Sequence, residues 1–156
     1  MVVVDSSGWI EFFTDGPKAE AYARYLKDAE RVATPAIVVY EVYKKIKRER
    51  GGEMAKLCVA QMEKTRGVPI DQSLAMRAAD LSLEFSLPMA DSLVLATARA
   101  LGVELITSDT DFRNVPGVQI LMSVIEVIHW YVVHIFIFNE DSPECWVNFS
   151  SILIVS

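Results

Sequence analysis

The sequence predicts an α/β fold: a three-layer α/β/α sandwich with a central parallel sheet, followed by a C-terminal apolar extension. Three observations carry this. Short apolar runs alternate with longer stretches of helical periodicity, the pattern of strand–helix–strand crossovers. The run Val2-Val3-Val4 is continuously apolar, as a strand covered on both faces must be. The 156 residues are enough for one domain with a substantial core.

Each element follows in order. Ser6 and Ser7 are placed to cap a short helix whose apolar side is Trp9, Ile10, Phe12 and Phe13. Gly16-Pro17 breaks it. Ala21, Tyr25 and Leu26 mark a second helix, and Val32-Ala33 a second strand. Thr34 reads as a cap and Pro35 as the first residue of a helix running to about Arg50. Val38, Val39, Val42, Tyr43 and Ile46 face inward there, and Gly51-Gly52 ends it. The next helix covers about Glu53 to Arg66. Val68-Pro69-Ile70 reads as a third strand, and Asp71 caps a helix with Leu74, Ala78, Leu81 and Phe85 on its buried face. After the break Ser86-Leu87-Pro88, a helix carries Leu93, Val94, Ala96, Thr97, Ala100 and Leu101 and stops at Gly102. Glu104 to Thr107 is a fourth strand and Val118 to Leu121 a fifth.

Residues 122–156 differ in character and divide the chain into a domain, 1–121, and an extension. Ser123 to Phe138 is apolar but shorter than the roughly 20 residues a membrane span needs. Asn139 to Pro143 reads as a turn, and Cys145 to Val155 is a second apolar stretch. Two strands, or a short helix and a strand, are expected, packed on the domain or on a partner.

The net charge is −6. The extension holds four acids and no Lys or Arg, so the first 121 residues carry only −2. Cys58 and Cys145 make neither a disulfide framework nor a zinc spacing, and Cys58 reads as a small buried hydrophobe. The N-terminus lacks a signal peptide's basic region and long apolar run. A cytoplasmic protein without membrane contact is expected.

Four scattered carboxylates carry the chemistry. Asp5 ends the first strand and Asp109 follows the fourth. Asp91 sits in the first turn of a helix, and Glu41 lies within another. In a parallel α/β sheet, ligands gather beyond the carboxyl ends of the strands, where Asp5 and Asp109 both lie. Clustered carboxylates repel one another unless a cation joins them. An all-oxygen ligand set suits Mg²⁺ or Mn²⁺. A bound divalent ion would lower the pKa of its water and neutralise charge on a phosphate. The helix dipole is expected to keep Asp91 ionised. Taken singly, each acid has a plainer reading: Asp5 as a cap, Glu41 as a solvated helix acid, Asp91 as a first-turn acid, Asp109 and Asp111 as turn residues. Their joint placement at one sheet edge favours a site.

The strings Asp5-Ser6-Ser7, Pro88-Met89-Ala90-Asp91-Ser92-Leu93 and Thr107-Ser108-Asp109-Thr110-Asp111-Phe112, with Glu41 on its helix, resemble the PIN-domain nucleases. Among these the chain looks like a VapC-type toxin ribonuclease, over about residues 1–121. The resemblance implies a parallel α/β/α sandwich that cuts RNA with Mg²⁺ or Mn²⁺. It implies Asp5, Glu41, Asp91 and Asp109 as catalytic metal ligands, with Asp111 as an auxiliary acid and Ser7 and Thr107 as supporting hydroxyls. It also implies a small antitoxin partner and a homodimer. Nothing in the family pattern extends to residues 122–156.

The densest basic run, Lys44, Lys45, Lys47, Arg48 and Arg50, follows Glu41 on the same helix. It reads either as a solvated helix end or as a surface for RNA phosphates. Trp9, Phe12 and Phe13 read as core or dimer contacts, His129 and His134 as structural, and Met54, Met62, Met76 and Met89 as packing residues. Competing functions fit less well. A haloacid-dehalogenase type enzyme wants a second acid where Ser7 stands. A receiver domain wants adjacent acids near the first strand and a late Lys, whereas Arg113 is the base that follows Asp109. A non-catalytic PIN-fold binding protein and another metal-dependent phosphohydrolase are the remaining alternatives.

Overall fold

The computed structural model describes residues 1–123, 125–129 and 152–155. Its strands are β1 (Val2–Val4), β2 (Val32–Pro35), β3 (Arg66–Val68), β4 (Glu104–Thr107), β5 (Val118–Ser123) and β6 (Ile152–Val155). They form one sheet of order β3-β2-β1-β4-β5-β6. Every neighbouring pair is parallel, with Val2 opposite Val32 on one side and Glu104 on the other. The helices are α1 (Ser6–Thr14), α2 (Ala19–Leu26), α3 (Ala36–Arg50), α4 (Gly52–Met62), α5 (Gln72–Phe85) and α6 (Met89–Leu101). They cover both faces, giving the expected three layers. From β1 the chain steps outward to β2 and β3, then returns to place β4 on the other side of β1. The strand order therefore reverses between β1 and β4, and in such sheets ligands gather beyond the carboxyl ends at that point.

The core explains why these segments adopt these elements. Val3, Val4, Leu105 and Ile106 are all but inaccessible, as befits central strands. In α6 every residue from Ser92 to Ala98 is buried. A helix apolar all round lies inside a fold, and α6 is held between α5, α3 and the central strands. Truncating a residue such as Leu105 to Ala would cost about 2–5 kcal/mol. Gly102, at φ 64°, takes the left-handed conformation that closes α6 at little cost. Among the described residues, no single helix is long and apolar enough to cross a membrane.

Several local expectations need correction. Asp5, not Ser6 or Ser7, caps α1, because its carboxylate is the group that accepts the Ser6 N–H. Thr34 is not a helix cap. It lies in β2, where the ladder to β3 holds it, and its hydroxyl meets that of Thr65 at 2.7 Å. Pro35 is the residue before α3, extended at φ −64° and ψ 146°. The third strand is Arg66–Val68 rather than 68–70. Pro69 has no N–H for a ladder, and α4 already stops at Met62, whose carbonyl accepts the Thr65 hydroxyl. Met62 and Cys58 are buried, whereas Met54, Met76 and Met89 are exposed.

Beyond β5, residues 125–129 are helical and β6 pairs with β5. Ser123 and Glu126 cap that stretch reciprocally: Glu126 Oε2 accepts the Ser123 N–H at 2.7 Å, and Ser123 Oγ accepts the Glu126 N–H at 3.2 Å. Lys18 pairs with Glu126 at 2.9 Å and ties it to the α1–α2 turn. His134, the Asn139–Pro143 turn and Cys145 lie outside the described residues.

Candidate functional site

Asp5 continues the β1 ladder, its N–H donating to the Ile106 carbonyl of β4 at 3.0 Å. The residue is 4% exposed, and its carboxylate accepts three hydrogen bonds. Oδ1 accepts the Ser6 N–H at 2.7 Å, while Oδ2 accepts the Ser7 hydroxyl at 2.8 Å and the Thr107 hydroxyl at 3.0 Å. Thr107 Oγ1 in turn accepts the Asp109 N–H at 3.0 Å, and Asp109 Oδ1 accepts the Asp111 N–H at 2.9 Å. One hydrogen-bonded chain thus joins Ser7, Asp5, Thr107, Asp109 and Asp111 across the ends of β1 and β4.

The helices bring the other acids. Asp91, in the first turn of α6, meets Asp109 and Asp111, and one carboxylate oxygen from each lies within 4.8 Å of the others. Asp5 and Glu41 lie outside this tight group, but both act electrostatically on Asp91. The structure therefore gathers all four expected acids and draws Asp111 closer than its auxiliary standing implied. Among the described residues, none of the five makes an ion pair. Carboxylates massed without a bonded base are the donor set that a hard divalent cation suits.

The electrostatics overturn one expectation. Asp91 is pushed up from 3.8 to about 7, first by burial and then by Asp5, Asp109, Glu41 and Asp111. Burial and four like charges outweigh the helix dipole, so at neutral pH the metal-free Asp91 is partly protonated rather than ionised. Burial also raises Asp5 against the lowering effect of its hydrogen bonds. It raises Glu41 too, with the Ser6 side chain and the Lys44 charge opposing and Asp5 reinforcing.

Along α3, Lys44, Lys45 and Arg48 stand three, four and seven residues after Glu41, on its side of the helix. Lys45 and Arg48 reach Glu49 at 2.6 and 3.6 Å. Lys44 sits over the Tyr40 ring at 5.5 Å and Lys47 over Tyr43 at 5.2 Å, so Lys47 points away from the Glu41 row. Trp9 is buried and stacks on Phe13 with centroids 5.5 Å apart, a packing role.

Two residues near the acids were missed from the sequence. Tyr22 of α2 is wholly buried, and Ser108 precedes Asp109. A signal for Tyr22 existed in Gly8. A Cβ there would fall 2.4 Å from Tyr22 Cε1 and 2.7 Å from Val4 Cγ1, so only glycine leaves room for the ring.

The model of the PIN domain family matches residues 2–118. The chain belongs to the PIN-domain family. No curated protein matches it. Among solved structures, this PIN domain is similar to a chain of a toxin–antitoxin complex from Klebsiella pneumoniae. That likeness has 25% identity and a TM-score of 0.65, covering 76% of this chain and 95% of the other. It is similar in fold to VapC20 of Mycobacterium tuberculosis, a Sarcin-Ricin loop cleaving toxin, at 18% identity and TM-score 0.58, covering 67% and 85%. It is also similar in fold to a chain of DNA-bound VapBC from Salmonella typhimurium, at 16% identity and TM-score 0.64, covering 76% and 95%.

Proposed function

We propose that this PIN domain is a Mg²⁺- or Mn²⁺-dependent endoribonuclease, the toxic component of a toxin–antitoxin pair. The observation that carries this reading is the acidic cluster at the sheet switch point, which has no bonded base among the described residues. The membership of the similar structures in toxin–antitoxin complexes supports the toxin assignment.

In this reading Asp5, Asp91 and Asp109 hold the metal, with Glu41 as a direct or water-mediated ligand and Asp111 as an auxiliary acid. When bound, a divalent ion supplies an ionised water and neutralises charge on the scissile phosphate. The chain's own residues prepare that chemistry. Ser7 and Thr107 donate to Asp5 Oδ2 and fix the carboxylate's rotamer, and the Ser6 N–H takes one lone pair of Oδ1, leaving the other for a cation. Thr107 also holds the Asp109 backbone, so both acids share one support. Lys44, Lys45 and Arg48 are assigned to RNA phosphates, an affinity without sequence choice, with Lys47 at the margin of that surface. Residues 1–121 are assigned as the nuclease unit and 122–156 as an extension, although β5 runs through that boundary to Ser123 and pairs with β6. A small antitoxin, a homodimer and a cytoplasmic setting complete the reading.

Asp5→Asn tests it. The variant keeps the shape and the hydrogen-bond acceptor of one carboxylate oxygen but loses the charge. Cleavage of mixed RNA in Mn²⁺ is expected to fall by at least about a hundredfold, with far-UV dichroism unchanged. Full metal-dependent cleavage by the variant would remove the assignment. Wild-type protein that binds Mn²⁺ and RNA without cutting would leave the non-catalytic binding reading in its place.

A further inference from the structure

Tyr22 is 0% exposed, and its hydroxyl makes no hydrogen bond. A buried phenol ordinarily finds a partner, because leaving the O–H unpaired is costly. The ring packs into the space left by the absent side chain of Gly8. The side chains of Ser108 and Ser7 act on its hydroxyl as hydrogen-bond partners short of full geometry, and the charges of Asp5 and Glu11 act on it as well. Ser7 lies at the start of α1, two residues after Asp5, and Ser108 in the loop after β4, one residue before Asp109. The phenol therefore stands between the two segments that carry Asp5 and Asp109.

Counting protons shows what is missing. The Ser7 hydroxyl gives its hydrogen to Asp5 Oδ2. The Thr107 hydroxyl gives its hydrogen to the same oxygen and accepts the Asp109 N–H. The 3.4 Å approach of Ser7 Oγ to Thr107 Oγ1 thus has no proton left to fill it. Ser7 Oγ retains an unused lone pair, and the Tyr22 O–H is an unused donor beside it.

We propose that Tyr22 is a positioning residue of the metal centre: its hydroxyl donates to Ser7 Oγ and accepts from Ser108, locking together the segments that carry Asp5 and Asp109. The inference rests on the proposed metal-dependent function. A chain of hydrogen bonds from Tyr22 through Ser7 to Asp5 polarises each member and strengthens the hold on the carboxylate. Groups behind metal ligands orient them in this way, and losing one weakens metal affinity by about ten- to a hundredfold.

Calorimetric titration of the full chain with Mn²⁺ alone tests this. Tyr22→Phe keeps the ring over Gly8 and removes the donor. Its Mn²⁺ dissociation constant is expected to rise by about tenfold. In a Ser7→Ala background the same substitution is expected to cost less, since the Ser7 half of the link has already been cut and only the Ser108 half remains. A purely structural tyrosine would give equal losses in both backgrounds, and that result, or an unchanged Tyr22→Phe, overturns the proposal. If Tyr22→Phe does not fold, Ser108→Ala on its partly exposed turn reads the same link: weakened binding supports it and wild-type binding overturns it. Wild-type protein without Mn²⁺ affinity would overturn the proposed function and this inference with it, whereas normal wild-type binding with insensitive variants overturns the inference alone.

Discussion

Thr107 shows how much a single hydroxyl can organise. It donates to Asp5 and accepts from the Asp109 backbone, so two acids from distant parts of the chain share one atom as support. Gly8 works by omission, since the space of its absent side chain is filled by Tyr22 and Val4. Gly8→Ala is expected to destabilise the protein by about 1–3 kcal/mol, because two buried groups would have to move. A urea titration would register this as a lower midpoint at unchanged slope, and an unshifted midpoint would refute the packing argument. At this scale Asp5, Asp91 and Asp109 stood out because their neighbouring strings are distinctive, whereas Glu41 had no such string. The protonation of Asp91 was not legible. It depends on how closely Asp109, Asp111, Asp5 and Glu41 approach, which spacing along the chain does not encode.

The helix α3 carries charges of opposite sign, Glu41 beside Asp5 and Asp91 and a basic row after it. Reversing Lys44 and Arg48 to Glu is expected to weaken RNA binding and to flatten its dependence on salt by about one unit of slope per lost phosphate contact. Binding measured across a salt series decides the matter: an unchanged slope would return the row to a solvated helix end. Helices were read well from sequence because their apolar positions repeat at helical spacing, as Val38, Val42 and Ile46 do. The short strands were read less well. Three residues with no alternation leave the register open, and the third strand became clear only through its pairing with β2, where Ala33 lies opposite Arg66 and Pro35 opposite Val68. Thr34 was misread as a cap for the same reason. Its side chain answers to Thr65, a partner 31 positions away.

For the whole molecule, the raised carboxyls make an unloaded protein sensitive to alkali. The folded state holds a proton on Asp91 up to about pH 7, while the unfolded chain releases it near 3.8. The stabilising proton is fully present below the lower value and is lost as pH rises through the upper one. Metal-free protein is therefore expected to melt at a lower temperature at about pH 8 than at about pH 5.5, with Mn²⁺ restoring more at the higher pH. Asp91→Asn should flatten that slope, and a variant as pH-sensitive as wild type would place its origin elsewhere. The sheet order has a further consequence in time. β1 lies between β2 and β4, and Val2 pairs with Glu104 across nearly the whole nuclease unit. Such distant pairing forms late and slowly. During synthesis, a growing chain that has not yet released Glu104 to Asp109 has a central strand with one open edge and a centre lacking Asp109 and Asp111. Under the proposed function, the cutting centre is complete only once nearly all of the domain has emerged.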